Sequence, residues 1–299
     1  MGDVVTAGVV WSLVAALGFG FTQTLNRKSN LLVGANRTAF GLLVAVETVL
    51  VVRLFVTGDH RLLADAPLSS LAFFSASALI HYILGWTLLA LSQHQIGVAR
   101  TGAVTSAAPL VGTLLAAPIL GERLTLWTLV GVLASVIGVT LVSISRTPTA
   151  GTGRWVFPAF GLAVAVCWGT SPMFIRKGLE GIDEPLLGLT VGLAVALVVH
   201  AIGLTVTRSW DRPSWNPRAV NWMVLGGLTG AIGIGAQWIS FGLTTIAIAI
   251  TVQQLATLIV VALAPIMFDA TFERVNALLL SGTTAMLAGS AIVVLAGRA

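Results

Sequence analysis

The sequence predicts an all-α integral membrane protein whose ten transmembrane helices form two inverted five-helix repeats. Of its 299 residues, 57% are hydrophobic and only 9% are charged, and the mean hydropathy is +0.97. Soluble domains carry about 25% charged residues, so this composition predicts a chain solvated by lipid. The other two observations are apolar segments of membrane-spanning length and short motifs of the first half that recur in the second half.

A helix that spans a bilayer needs about 20 apolar residues, and ten segments of the chain meet this length. Five fall in each half, and because five is odd the second half enters the membrane from the opposite side. The result is an inverted-topology repeat, an arrangement common among secondary transporters. The predicted helices span 4–25, 38–57, 67–91, 96–120, 126–145, 155–175, 185–207, 219–243, 246–268 and 276–296.

The recurring motifs are separated by a nearly constant number of residues. Gly169 is equivalent to Gly20, with 169 − 20 = 149, and Glu273 is equivalent to Glu122, with 273 − 122 = 151. A unit this long is a duplicated domain rather than a solenoid repeat. The predicted domains are an N-terminal five-helix repeat, residues 1–147, and a C-terminal five-helix repeat, residues 148–299.

Two pairs of glycines in the fifth and tenth helices share this offset. Gly131 and Gly138 are seven residues apart, as are Gly282 and Gly289. Residues seven apart lie on one face of a helix, and small residues allow close approach of helices in membranes. The sequence therefore predicts that the fifth and tenth helices meet through these faces.

The residue inventory excludes several classes of protein. Basic residues are scattered among the loops, whereas nucleic-acid binding needs a clustered basic patch. The single cysteine, Cys167, allows no internal disulfide, and no spacing typical of metal ligands occurs. No phosphate-cradling loop is present, and the aspartates lie at or outside helix ends. We therefore expect neither an enzyme nor a cofactor or metal site; the expected partners are a small-molecule substrate and the lipid bilayer.

Several local motifs resemble those of the drug/metabolite transporter superfamily, EamA type. They are the run from Ala99 through Pro109 into Gly121-Glu122-Arg123-Leu124, the pair Trp168-Gly169 and the pair Asn36-Arg37. The resemblance covers essentially the whole chain, and within the family it is closest to YddG-like amino-acid exporters. Phe19 departs from the family's usual tryptophan. The resemblance implies a ten-helix exporter with cytoplasmic termini and a cavity between helices 1, 3, 4, 6, 8 and 9; the charge count alone leaves the orientation open.

Aromatic and polar residues in those helices are the candidate substrate-binding residues. His81, Tyr82 and Trp86 cluster in the third helix, where an imidazole, a phenol and an indole could stack on a planar substrate. Trp168 occupies a position that faces the cavity in the family. Thr22 and Ser171 are mates across the repeat. Structural packing remains the alternative for each of them.

Uncharged hydrogen-bonding groups interrupt the eighth and ninth helices. Gln237 and Trp238 lie in the eighth, and Gln253 and Gln254 in the ninth. Adjacent helical residues point about 100° apart, so at most one of the two glutamines faces the cavity; Gln254 is the predicted one.

Three other polar residues of the predicted helices are less favoured as functional residues. The resemblance places Glu47 and His200 in peripheral helices, where local hydrogen bonding is favoured over proton coupling. Arg100 begins the fourth helix and could extend to the interface.

These residues predict an inner-membrane secondary transporter that exports small metabolites by alternating access and functions as a monomer. Neutral and aromatic amino acids are favoured, because aromatic walls and amides suit a planar side chain on a zwitterion. Two alternatives stay open at this level. One is a drug or nucleotide-sugar carrier of the same superfamily, and the other is a passive channel or facilitator.

Overall fold

The computed structural model describes residues 2–96, 98–145, 158–207, 216–267 and 277–297, and these residues form helices and short connections without any strand. A 3₁₀ helix spans Asp59–Ala64, and a π-helical segment spans Leu79–Gly85. The α-helices are α1 Gly2–Val33, α2 Ala35–Thr57, α3 Leu68–Ala78, α4 Trp86–Ile96, α5 Val98–Thr105, α6 Ala108–Leu120, α7 Leu126–Ser145, α8 Pro158–Leu179, α9 Pro185–Val206, α10 Pro217–Leu243, α11 Ile246–Gln253, α12 Ala256–Met267 and α13 Ala277–Ala296.

Among the described residues, seven helical stretches are long and apolar enough to cross a membrane, so the chain is a multi-pass membrane protein. They are Asp3–Val33, Arg37–Thr57, Leu68–Leu89, Ala159–Leu179, Pro185–Val206, Pro217–Leu243 and Ala277–Ala296. Three shorter apolar helices, Ala108–Leu120, Leu126–Val142 and Ile246–Val260, lie in the fourth, fifth and ninth predicted segments. The linker predicted at 146–154 lies outside the described residues.

Helix α1 is longer than the apolar pattern predicts, since it continues from residue 25 to Val33. Tertiary hydrogen bonds hold this polar extension. The Ser29 hydroxyl donates to the Ala219 carbonyl at 3.4 Å, and the Thr38 hydroxyl donates to Ser29 Oγ at 3.1 Å. The helix ends at Gly34, whose φ of 84° lies in the left-handed region that glycine adopts without steric cost.

The predicted third, fourth and ninth helices are each irregular near their middle. The third passes through the π-helical segment, and the fourth breaks at Ser106 and Ala107 before α6 begins. Pro109 is among the first residues of α6, where the missing N–H of proline costs no helical hydrogen bond. The ninth breaks without a proline: the Gln254 N–H donates to the Thr251 carbonyl at 3.3 Å, a tighter 3₁₀-type turn.

Proline residues inside the helices do not mark the helix breaks. Of Pro109, Pro118, Pro172 and Pro265, only Pro109 lies beside a break. Pro118 and Pro172 lie within continuous α-helices, and Pro265 falls inside α12. In a bundle, neighbouring groups can satisfy the carbonyl that an internal proline frees, so the helix continues through it.

Helices of each half of the chain pack against helices of the other half. Helix α1 of the first half packs on α10 and α12 of the second half, and α8 of the second half packs on α3 and α6 of the first. Likewise α2 packs on α10, and α9 packs on α3. The largest buried side chains, Trp238 and Phe74, lie where the two halves meet, so the main core belongs to both.

Helices α7 and α13 pack face to face through the four glycines that the repeat pattern singled out. A Cβ added to Gly138 would lie 2.7 Å from the Gly282 carbonyl oxygen, and one added to Gly289 would lie 2.6 Å from the Gly131 carbonyl oxygen. Separations this short leave no room for a side chain. The predicted contact between the fifth and tenth helices is confirmed.

Gly289→Leu is expected to reduce the yield of folded protein severely, because the leucine would displace the backbone of α7 at Ser135 and Gly131. Overpacking of a tight core costs about 1–3 kcal/mol or more. Ala291→Leu is the matched control, since Ala291 lies exposed on the same helix. The measurement is monodisperse yield and thermal unfolding in detergent. Equal stability of the two variants would contradict this account of the interface.

Candidate functional site

The π-helical segment positions two of the predicted substrate-binding residues, His81 and Tyr82. Their rings lie 4.7 Å apart, measured between centroids, and are inclined by 53°. A π-helical turn inserts an extra residue into the helix and is frequent at functional sites. Here it brings two aromatic neighbours toward α8 and α10, where the remaining members of the cluster lie.

Helix α8 supplies the contacts to His81. The imidazole Nδ1 lies 2.9 Å from the Ser171 hydroxyl oxygen, and the ring stacks on the Trp168 indole with centroids 5.7 Å apart and planes inclined by 22°. The Trp168 Nε1–H donates to the His81 carbonyl at 3.4 Å. His81 of the third predicted helix is therefore in direct contact with Trp168 and Ser171 of the sixth.

Two small residues make this contact possible. A Cβ on Gly85 would lie 2.8 Å from Trp168 Nε1, so only glycine leaves room for the indole. The Ser77 hydroxyl donates to the Ser171 carbonyl at 3.0 Å and joins α3 to α8.

Tyr82 and Trp238 form the closed side of the cluster. Both side chains belong to the same buried core, where Tyr82 is 3% exposed and Trp238 is 1% exposed. Phe74 covers Trp238 at a centroid distance of 5.7 Å, and Trp86 meets Tyr82 edge to face at 5.5 Å. His81, Trp86 and Trp168 remain half-buried, so these three rings form the accessible part of the cluster.

A buried amide network lies next along α10. Gln237 Nε2 donates to Gln253 Oε1 at 2.9 Å, and Gln253 Nε2 donates to the Ser240 hydroxyl at 3.1 Å. Ser240 in turn donates to the Gln237 carbonyl at 2.7 Å. Gln237 and Trp238 are consecutive residues, so one helix presents both the amide network and the indole.

Two predicted site residues lie away from both groups. Gln254 is half-buried in the turn between α11 and α12, and it is Gln253 that bonds to Gln237. Thr22 lies between α1 and α10, with its hydroxyl 2.9 Å from that of Thr229. Among the described residues, neither side chain forms a hydrogen bond with the aromatic cluster.

No helical stripe in the sequence distinguishes the two glutamines. Every residue of α11 from Ile246 to Gln253 is buried, and the half-buried Gln254 comes directly after it. Ser240 and Phe74 likewise gave no signal in the sequence.

An arginine and a glutamate bind the turn between α10 and α11. The Arg176 guanidinium donates from Nη1 to the Phe241 carbonyl at 2.7 Å and to the Thr244 carbonyl at 3.1 Å. The Ile246 N–H donates to the Glu122 carboxylate, at 2.9 Å to Oε1 and 3.1 Å to Oε2. Cations suit helix C-termini and anions suit N-termini. The motif around Glu122 recurs in the second half of the chain, but its spacing gave no sign of the role that Glu122 shares with Arg176.

The aromatic cluster and the amide network contain no aspartate, glutamate, lysine or arginine, and His81 is the one imidazole among their members. The side chain of Arg100 lies outside the described residues. The site as built can stack on a planar group and hydrogen-bond a polar one, and it suits a ligand without a large net charge.

Two comparisons with known proteins find a similarity, one to a family over part of the chain and one to a fold over nearly all of it. Residues 6–144 match the EamA-like transporter family, which is the first of the two predicted repeats. A solved crystal structure is similar over 98% of this chain and 98% of its own, with a TM-score of 0.76 and 18% sequence identity. At this identity the likeness shows the fold alone. No curated protein sequence matches the chain.

Proposed function

We propose that this multi-pass membrane protein, whose first half matches a transporter family, is a secondary transporter that exports small metabolites. Neutral amino acids, with aromatic ones preferred, are the proposed substrate class. The observation that carries this proposal is the cluster of half-buried rings formed by His81, Trp86 and Trp168 beside an uncharged amide network. The family is one of transporters, so the chemistry expected of the site is binding and release.

The proposed architecture has ten spans in two inverted repeats, which place the site between the halves. Reciprocal packing supports it, since α1 contacts α10 and α12 much as α8 contacts α3 and α6. The helix breaks at Ala107 and Leu255 also correspond, with 255 − 107 = 148. Discontinuous helices in matching positions of two halves are typical of the substrate sites of secondary transporters.

The proposed binding mode follows from the polarity of the cluster. An aromatic side chain stacked on Trp168 or His81 would gain about 0.5–1.5 kcal/mol per ring pair beyond its area burial. Amide groups such as those of Gln237 and Gln253 offer both donors and acceptors to an ammonium and a carboxylate. A zwitterion carries no net charge, so a site without lysine or arginine suits it better than a multiply charged phosphate.

The proposed cycle is alternating access by a monomer in the inner membrane, with both termini in the cytoplasm. The discontinuous helices α5–α6 and α11–α12 are the elements proposed to bend. Saturable uptake and counter-transport distinguish this cycle from a passive channel, which shows neither.

Trp168→Ala is expected to weaken uptake of phenylalanine by about tenfold in apparent affinity, since losing one stacking partner costs about 1–1.5 kcal/mol. The measurement is concentration-dependent uptake into proteoliposomes, with phenylalanine, threonine and a nucleotide sugar as probes. Trp127→Ala is the matched control, because Trp127 is 65% exposed at the start of α7.

Each outcome of that experiment has a definite meaning. Saturable phenylalanine uptake that depends on Trp168 and not on Trp127 supports the proposal. Nucleotide-sugar exchange without amino-acid transport would replace the proposed substrate class. Non-saturable flux of all three probes would favour a channel. Unchanged uptake by Trp168→Ala would remove that residue from the site.

A further inference from the structure

Glu47 is a buried acidic side chain outside the substrate site. It lies in the middle of α2, and only 8% of its surface is exposed. The sequence placed it in a peripheral helix and favoured a local hydrogen bond. Among the described residues, however, no donor reaches Glu47 Oε2, and this oxygen is fully enclosed. An enclosed carboxylate without a donor or a cation is costly in a membrane protein, so the carboxyl group is neutral in this conformation.

The elements packed against α2 supply no counter-ion for Glu47. These are α1, α9, α10 and the 3₁₀ helix, and within the described residues none of their charged or titratable side chains forms an ion pair with Glu47. Those side chains are Asp3, Arg27 and Lys28 on α1, His200 on α9, Arg218 on α10, and Asp59, His60 and Arg61 in the 3₁₀ helix, with Arg37 and Arg53 on α2 itself.

The nearest of these groups along α2 have other contacts. Arg53 pairs with Asp59 at 2.8 Å and with Glu184 at 3.0 Å. His200 contacts Phe40, with ring centroids 5.7 Å apart, and Phe40 lies seven residues from Glu47, or about 10 Å along the helix. The carboxyl group therefore has no fixed charge beside it that would hold it ionised.

The fold itself does not require an acid at this position. The offset of 149 to 151 residues places the counterparts of Glu47 at Ala196, Leu197 and Val198, all of which are apolar. Ala196 is completely buried in the core shared by the two halves. The matching helix of the second half thus has no acidic group at these three positions, which indicates a role for Glu47 other than packing.

Glu47 lies beside a close contact between α2 and α10. Val46 and Leu42 pack against Gly230 and Gly226 of α10, 3.1 Å and 3.3 Å from where a Cβ would stand, and Ala45 packs against Gly227. Small residues let two helices approach closely in a membrane, so α2 and α10 pack tightly beside Glu47.

We propose that Glu47 is a proton-binding site, which holds a proton in the closed surroundings seen here and releases it when those surroundings open to water. This inference rests on the proposed function only where it assigns the proton a role in transport. In that role, protonation of Glu47 accompanies one direction of the transport cycle, and deprotonation accompanies the other. The transporter is then driven by a proton gradient.

The first test needs no substrate. Dicyclohexylcarbodiimide, an apolar reagent, adds to the protonated form of buried carboxyl groups, and peptide mapping by mass spectrometry locates the adduct. In the purified protein in liposomes we expect labelling of Glu47 at about pH 5 that falls severalfold toward about pH 9, as the proton is lost. Glu47→Gln removes the adduct, and Glu47→Asp retains it. Absence of labelling at every pH, or labelling that does not change with pH, would overturn the proton site.

The second test measures coupling in proteoliposomes with phenylalanine as the probe. At one-to-one coupling, a gradient of one pH unit supports an about tenfold accumulation of substrate. We expect Glu47→Gln to retain exchange of phenylalanine across the membrane and to lose this accumulation, because glutamine imitates the neutral acid permanently. Glu180→Gln is the control, since Glu180 lies exposed at the end of α8.

The two tests separate failure of this inference from failure of the proposed function. If phenylalanine is not transported at all, the proposed substrate is wrong, and the labelling result still decides whether Glu47 exchanges a proton. If Glu47→Gln keeps the full response to the pH gradient, Glu47 does not couple transport to protons. A pH response lost in Glu47→Gln and kept in Glu47→Asp supports the inference.

Discussion

Gly18→Leu is expected to abolish the folded protein. Helices α1 and α10 cross at Gly18 and Gly233, and a Cβ on Gly18 would lie 2.6 Å from the Gly233 nitrogen and 2.9 Å from the Thr229 carbonyl oxygen. These are backbone atoms, which cannot rotate away as a side chain can. A leucine would therefore separate the two helices along a contact that joins the halves of the chain. The expected loss is about 3 kcal/mol or more, a large part of the stability of most folded proteins.

Gly203→Leu provides the matched control for this prediction. Gly203 also lies in an apolar helix, α9, but nothing lies within 4 Å of a Cβ added there. Its replacement should leave the folded yield unchanged or slightly raised, since glycine is a poor helix former. The measurement is size-exclusion profile and thermal unfolding in detergent. If Gly18→Leu gives a monodisperse protein as stable as Gly203→Leu, the close crossing of α1 and α10 is wrong.

Arg176→Ala is expected to destabilise the turn between α10 and α11 by about 2–4 kcal/mol, because two carbonyl groups lose a charged donor. It also removes a cation that favours the ionised form of the partly buried Glu122. Lys177→Ala is the neighbouring control: its pair with Glu180 is exposed and is worth about 0–1 kcal/mol. Thermal unfolding of both variants checks the prediction. Similar losses in the two would mean that Arg176 does not hold the turn.

The same turn predicts a pH dependence with a definite sign. Burial raises the pKa of Glu122 above its ordinary value of 4.5, while the Ile246 N–H and Arg176 partly oppose this shift. The unfolded carboxyl loses its proton near pH 4.5 and the folded one at higher pH. The contribution of Glu122 to stability is therefore complete below pH 4.5 and is lost as pH rises through the raised pKa.

Glu122→Gln isolates this contribution, since glutamine keeps an acceptor oxygen for the Ile246 N–H and does not titrate. We expect the stability of the native protein relative to Glu122→Gln to fall as pH rises above 4.5. Arg176→Ala should make the total fall larger, because Arg176 favours the ionised form of Glu122. Thermal unfolding over a pH series gives the comparison. Parallel curves for the native protein and Glu122→Gln would refute the assignment.

The site was predictable where a single helix contained the signal. His81 and Tyr82 were identifiable because polar and aromatic groups are unusual in the middle of an apolar helix, and Trp168 and Ser171 because they lie in a repeated stretch. Which of them touch depends on contacts between distant segments: His81 and Ser171 are 90 residues apart. The π-helical geometry at Leu79–Gly85 left no periodic mark in the sequence, since it changes the hydrogen bonding of the backbone rather than the order of side chains.

The sequence by itself determined that the protein is helical and lies in a membrane, and it located the helical segments and the glycine contact between α7 and α13. Composition, run length and repeat spacing are properties of the chain, so they need no knowledge of neighbours. Only the tertiary structure decided that Gln253 rather than Gln254 bonds to Gln237 and that Glu122 caps a helix 124 residues away. It also showed that Glu47 Oε2 is enclosed with no hydrogen-bond partner among the residues that the structure describes. These outcomes depend on which surfaces of different helices meet, and a helical stripe specifies a face but not the helix that covers it.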